Sequence, residues 1–164
     1  MKKEKENRFI NLIEQNKGMI LMICKAYVAE DEDVDDYFQD VVIKLWESFD
    51  AFRGDSEIST WIYRVTLNTC ISFVRKRNRR LSTTPLLEDI EIADDDSTDA
   101  KNTAKLYQLI NCLNKYEKAL VLLWLENLSY VEIADIMGLT VSNVSVKLTR
   151  IKEKLKSISN QTNY

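Results

Sequence analysis

The stretch Ser129–Leu155, SYVEIADIMGLTVSNVSVKLTRIKEKL, restricts the possible folds more than any other part of the chain. Ser129 followed three residues later by Glu132 has the form of a capping box, which opens a helix by satisfying its first free N–H groups. Val131, Ala134, Ile136 and Met137 give that helix an apolar side, and Gly138 is the residue type that lets it stop and turn sharply. Thr140 then caps a second helix. On it Val141, Val144, Leu148, Ile151 and Leu155 recur at three- and four-residue steps, forming one inward stripe. The opposite side carries Ser142, Asn143, Ser145, Lys147, Thr149 and Arg150. Cap, turn, a small Ala134 at the crossing and a hydrogen-bonding outer face together predict a helix-turn-helix, which fits duplex DNA. A plain amphipathic hairpin would not need all of these features to agree.

The whole chain has 164 residues, room for one ordinary domain or two small ones. Three Gly and one Pro favour long helices over a turn-rich β fold. No apolar run approaches the ~18 residues of a membrane span. The N-terminal MKKEKENRF lacks the apolar core of a signal peptide, so a cytoplasmic protein is expected. Cys24, Cys70 and Cys112 lie far apart among apolar neighbours and read as reduced core residues. The absence of histidine removes the commonest general base and metal ligand, and there is no Gly-rich phosphate loop or nucleophile elbow. Neither an enzyme nor a metal or cofactor site is expected.

A net charge of −3 looks wrong for a DNA binder until it is resolved along the chain. Residues 30–40 hold seven acids and no base, whereas residues 61–81 hold six bases and no acid. Residues 82–100 return to seven acids and no base, and 147–156 carry five bases against Glu153. Segregated charge of this kind matters more than the net value.

In chain order, residues 4–29 give a helical pattern through Phe9, Leu12, Ile13, Ile20, Ile23 and Tyr27, with a break near Gly18 as an option. Asp33 or Asp35 can cap a helix over Tyr37–Phe49, whose first turn is acidic as the helix dipole favours. After the polar loop AFRGDSEIST, Ser59 or Thr60 can cap a helix running from Trp61 to about Arg77. Its expected inner face is Ile62, Val65, Thr69 and Phe73, with Arg64, Asn68, Ser72, Arg75 and Lys76 on another side. Aromatic rings at the mouth of a basic helix supply the stacking and phosphate neutralisation that single-stranded DNA needs. Residue chemistry alone fits a core aromatic cluster beside a solvated basic face equally well. Acidic, aperiodic residues 81–101, which hold the only Pro, mark a flexible linker. They divide the chain into 1–80 and 102–158, leaving a tail at 159–164. Two further helices, Ala104–Leu113 and Lys115–Asn127, would give the helix-turn-helix a platform. The expected fold is all-α, with two small helical domains.

Taken together, these pieces resemble the extracytoplasmic-function (ECF) group of bacterial RNA polymerase sigma factors. DDYFQDVVIKLWESFDAFRGDSEISTWIYRVTLN is similar to the family's second conserved region, with its spaced D…Q(D/E)…W…F…S…TW(I/L)Y…N. LSYVEIADIMGLTVSNVSVKLTRIKEKL is similar to its fourth region, LSYxEIAxxLGxSxGTVxSRLxRAxxxL. Many regulators share the second motif, but the ordered pair around an acidic linker is specific. The chain departs from the pattern at Leu67, where Arg is frequent, and at Ser72, where Asp is usual. It departs again at Ser142-Asn143, in place of Gly-Thr, and at Ser145, in place of Lys. The latter changes bear on which bases are read.

The resemblance implies a transcription initiation factor that binds core RNA polymerase and directs it to promoters. It implies that Asp36, Gln39, Asp40, Lys44 and Glu47 dock on a helical coiled coil of the largest polymerase subunit. Arg53, Ser56, Thr60 and Trp61 would capture a base flipped from the −10 element, while Arg64, Asn68, Ser72, Arg75 and Lys76 contact its bases and backbone. In the second domain Ser142, Asn143 and Ser145 would reach −35 base edges and Lys147, Arg150 and Lys152 would bind phosphate around them, with Thr140 and Thr149 on the same DNA-binding face. The implied partners are core polymerase, promoter DNA and an anti-sigma factor, with no small-molecule substrate. A stand-alone helix-turn-helix regulator is the alternative, but it leaves the aromatic-basic helix and the acidic segment without a task.

Overall fold

Helix formation follows the apolar periodicity, and Asp33, Asn114, Ser129 and Thr140 cap four of the helices with short polar side chains. In the computed structural model, which describes residues 1–81 and 98–162 (residues 81, 98 and 162 by backbone only), the regular elements are helical. They are α1 (Lys2–Tyr27), α2 (Val34–Ser48), a 3-10 turn at Phe49–Ala51, α3 (Ile58–Leu81), α4 (Thr98–Asn111), α5 (Lys115–Leu125), α6 (Tyr130–Met137) and α7 (Val141–Thr162). None of the described helices is long and apolar enough to cross a membrane.

The first unit is a three-helix packing of α1, α2 and α3. Ile20, Ile23, Cys24 and Tyr27 of α1 meet Val41 and Leu45 of α2 and Ile62, Leu67 and Cys70 of α3 in a closed core. Each such fully buried Ile or Leu contributes ~1.5–3 kcal/mol. α1 runs through Gly18 without a break. Asp33, not Asp35, caps α2, accepting a hydrogen bond from the Asp35 N–H at 2.9 Å. Arg77, near the end of α3, ties this helix back to the α1–α2 connection. It donates to the Tyr27 carbonyl at 3.2 Å and to Glu32 Oε2 at 3.0 Å. Burial of Glu32 works against its charge, but the Tyr37 hydroxyl, the Ala29 N–H and Arg77 together hold the carboxyl below its usual range.

The second unit is built on α5. Ala119, Leu120, Val121, Leu122 and Leu123 are all buried, against Ile133 and Ile136 of α6 and Val144, Leu148 and Ile151 of α7. Asn114 and Glu117 form a reciprocal capping box at the start of α5. Lys154 reaches Glu117 at 3.0 Å and Lys152 lies over the Trp124 ring at 4.3 Å, so α7 is held to α5 from its outer side as well.

The two units pack against one another. α3 lies against α5 and α6, and α1 against α4 and α5. The Tyr27 hydroxyl donates to the Lys115 carbonyl at 2.6 Å, and Lys118 Nζ donates to the Ala26 carbonyl at 2.7 Å. Most of the acidic stretch expected as a linker lies outside the described residues, and its last part, from Thr98, is the first turn of α4. The stretch read as a tail continues α7 to Thr162.

Several local expectations need correction. α3 begins at Ile58, so Ser59 and Thr60 lie within its first turn and do not cap it. Its buried face is Ile62, Tyr63, Thr66, Leu67, Cys70 and Ile71, while Val65, Thr69 and Phe73 are only partly covered. A helix with neighbours on two sides buries a wider arc than a single stripe. Val131 is 66% exposed and Val141 45% exposed, and Ile133 takes the buried place in α6. Cys112 is exposed, unlike Cys24 and Cys70, which are buried with their sulfurs 4.0 Å apart.

Candidate nucleic-acid interface

The helix-turn-helix is assembled by its local hydrogen bonds. Ser129 Oγ accepts the Glu132 N–H at 3.2 Å, and Glu132 Oε2 accepts the Ser129 N–H at 2.7 Å. Gly138 ends α6 at φ 66 and ψ 35, the left-handed conformation in which a side chain would be strained. Thr140 Oγ1 then accepts the Asn143 N–H at 3.1 Å, starting α7. Burial of Val144, Leu148 and Ile151 turns the other side of α7 outward. Thr140, Ser142, Asn143, Lys147, Thr149 and Arg150 are exposed there, and Ser145 is partly covered. The Thr149 hydroxyl donates to the Ser145 carbonyl at 2.9 Å, leaving its oxygen free to accept. This surface offers donors, acceptors and cations on one rigid helix, as groove reading requires.

The second candidate surface lies between α2 and α3. Asp40, Ile43 and Lys44 form one wall of an open groove of about 470 Å³, and Asn68, Thr69, Ser72, Phe73 and Lys76 form the other. Residues expected to meet polymerase and residues expected to meet DNA thus face the same groove. Lys76 Nζ stands 6.0 Å over the Phe73 ring. Asp36, Gln39, Asp40, Lys44 and Glu47 are all exposed on α2. Lys44 donates to Glu47 at 2.9 Å, and this bond raises the lysine pKa.

At the mouth of α3, Arg53 is exposed and Ser56 partly covered, on the loop that bends through Gly54 at φ 78. Thr60 is buried and not open to a base. Trp61 is half-buried, its ring centroid 5.2 Å from Phe52 and 6.3 Å from Phe49. Phe49 continues the cluster to Phe9 at 5.2 Å, and Phe9 to Trp46 at 5.0 Å. Trp61 therefore serves the core with one face and is accessible on the rest.

Arg64 and Arg75, both expected to contact DNA, point to the second unit instead. Arg64 donates to the Asp135 carbonyl and lies 3.2 Å from Asp135 Oδ1. Arg75 donates to the Tyr116 hydroxyl at 2.5 Å. Alongside them the Tyr63 hydroxyl donates to Glu126 Oε2 at 3.4 Å. Burial and the Glu126 charge push that phenol up to about 12. Asn68, Ser72 and Lys76 remain open to the α2–α3 groove. Asp135, Tyr116 and Glu126 escaped the sequence reading, because pairs separated by 41 to 71 residues leave no local pattern.

Among known proteins, residues 12–80 match the model of sigma-70 region 2, and residues 103–155 match that of sigma-70 region 4. The ECF RNA polymerase sigma-E factor of Haemophilus influenzae is 28% identical over 160 residues, covering 89% of this chain and 84% of the relative. The ECF RNA polymerase sigma factor SigW of Bacillus subtilis is 24% identical over 171 residues, covering 95% and 91%. In fold, the chain is similar to the sigma factor RpoE of Bartonella quintana, solved in complex with the anti-sigma factor NepR. The TM-score is 0.76 at 19% identity over 93% of this chain and 97% of that one. CnrH, solved with the cytosolic domain of CnrY, gives a TM-score of 0.70 at 18% identity over 95% and 90%. Region 2 over the three-helix unit and region 4 over the helix-turn-helix unit, in this order and across most of the chain, settle its place: it belongs to the sigma-70 family, as an ECF RNA polymerase sigma factor.

Proposed function

We propose that this chain acts in the cytoplasm, binding core RNA polymerase through α2 and directing it to promoters through two separate DNA surfaces. The observation that carries this reading is the pair of exposed faces on two units: the α7 outer face and the α2–α3 groove. The exposed row Asp36, Gln39, Asp40, Lys44 and Glu47 supplies a charged docking surface whose complementarity steers encounter and register. On α7, Lys147 and Arg150 neutralise phosphates around the −35 element, each contact steepening the salt dependence by ~0.9 in logarithmic slope. Ser142 and Asn143 reach base edges, and an Asn carboxamide suits the paired donor and acceptor of adenine.

The α2–α3 groove, with Asn68, Ser72 and Lys76, takes the unpaired −10 strand. Arg53, Ser56 and the open edge of Trp61 receive a flipped base, whose unstacking costs a few kcal/mol and is offset by stacking worth ~1–3 kcal/mol. Arg64 and Arg75 join this surface once released from Asp135 and Tyr116. The stretch 82–97, fully extended, reaches ~55 Å, enough to let the two units serve separate elements. An anti-sigma factor is a fitting regulator, holding the two units away from their DNA. The chain works in this account by binding alone.

Footprinting of the reconstituted polymerase tests the division of labour. Asn143→Ala should relax selection at one base pair by ~1–3 kcal/mol without altering −10 opening. Lys76→Ala should reduce opening while −35 protection persists. Loss of both protections in both variants would defeat the two-surface reading.

A further inference from the structure

We propose that the cleft where the two units meet is a binding site for a small oligophosphate anion, of the pyrophosphate or nucleoside diphosphate class. The end of α1, the last third of α3, the end of α4 and the start of α5 converge on a cleft of about 330 Å³. Its walls carry Arg77 from the first unit, Lys115 and Lys118 from the second, and the carboxamides of Asn78, Asn111 and Asn114, with Tyr27 as floor. Among the described residues, no carboxylate lines it.

The charge there is only partly matched. Arg77 has Glu32 as its carboxylate partner at 3.0 Å. Lys118 Nζ bonds to neutral acceptors, the Ala26 carbonyl at 2.7 Å and Asn111 Oδ1 at 3.1 Å, and lies 5.2 Å over the Tyr27 ring. Burial and the neighbouring Arg77 push the Lys118 amine down to about 8. A cation held in a half-dry cleft beside two others is stabilised by any anion that enters. An arginine fork and two ammonium groups suit phosphoryl oxygens, with the carboxamides as further donors. The volume sits at the lower end of small-ligand sites, wide enough for linked phosphoryl groups. The capped start of α5 adds little, because Asn114 Oδ1 already accepts the Tyr116 and Glu117 N–H groups.

Because the walls come from both units, such a ligand binds the packed arrangement and opposes its opening. This site stands apart from the two DNA surfaces and does not depend on their roles.

Calorimetric titration of the full chain with pyrophosphate, at fixed ionic strength, tests the proposal. Saturable one-site binding is expected, together with a rise in melting temperature. Lys118→Met should weaken binding at least tenfold and Lys118→Arg should largely keep it. If Lys118→Met fails to fold, Lys115→Gln, at the half-buried start of α5, should still weaken binding severalfold. At mildly alkaline pH wild-type protein should take up more protons, or release fewer, than Lys118→Arg as pyrophosphate binds, because the ligand's own ionisation is common to both. The proposal is overturned by unsaturable binding at millimolar pyrophosphate, by variants that bind as wild type, or by an equal thermal shift with sulfate. Displacement of pyrophosphate by a short single-stranded oligonucleotide at lower concentration would assign the cleft to nucleic acid and overturn it too.

Discussion

Trp61 combines two duties in one side chain. One face packs on Phe52 and Phe49, and the remainder is open at the mouth of α3. Trp61→Ala should therefore cost ~1–3 kcal/mol of stability, below the range for a fully buried aromatic. It should still assemble with polymerase and protect the −35 region while leaving −10 bases unreactive to single-strand probes. A variant that folds and opens promoters normally would remove the stacking role. Glu32 makes a second prediction at this scale. Its carboxyl, held below the usual range by Tyr37, Ala29 and Arg77 against the cost of burial, stabilises the fold where it is ionised. A depressed folded-state pKa gives stability that is present above the unfolded pKa and is lost as pH falls through the folded one. Glu32→Gln should lower the melting temperature at neutral pH, with a deficit that shrinks on acidification. A deficit independent of pH would point to packing in place of charge.

Among the helices, the helix-turn-helix is the most locally determined, and it is also where the sequence was most legible. Ser129, Glu132, Gly138 and Thr140 each act within four residues of their partners, and each acts as their chemistry demands. Ser129→Ala should cost ~1 kcal/mol through loss of the cap, read as a lower midpoint in chemical denaturation with an unchanged slope. Arg150→Ala should reduce the salt slope of duplex binding by about 1, leaving affinity for a pre-melted template largely intact. An unaltered slope would take Arg150 off the phosphate backbone. The faces of α6 and α3 were harder to read. Each residue turns a helical pattern by ~100°, so exposed Val131 and buried Ile133, two residues apart, lie on nearly opposite sides of α6. In α3, apolar residues occur nearly all round because the helix packs on α1 and α2 and again on α5 and α6. No single stripe could be chosen from composition. Ser59 and Thr60 looked like caps by type, yet the helix starts earlier, at Ile58.

At the scale of the whole molecule, the packed units place Asp135 on Arg64 and Tyr116 on Arg75, two cations proposed above for the −10 strand. Such contacts across the chain cannot be read from local patterns, which is why the two proposed DNA surfaces could be outlined from sequence and the contacts that cover part of one could not. Asp135→Asn combined with Tyr116→Phe should raise the affinity of the free chain for single-stranded −10 DNA severalfold. Unchanged affinity would mean that Arg64 and Arg75 do not limit binding. The central claim, promoter-directed initiation with core polymerase, is tested most directly by run-off transcription from genomic fragments with core RNA polymerase, with and without this chain. Discrete transcripts that require the chain and start a fixed distance downstream of a shared pair of elements are the expected result. An unaltered transcript pattern, with no retention of core polymerase by the chain and tight binding of the chain alone to an operator duplex, would contradict it.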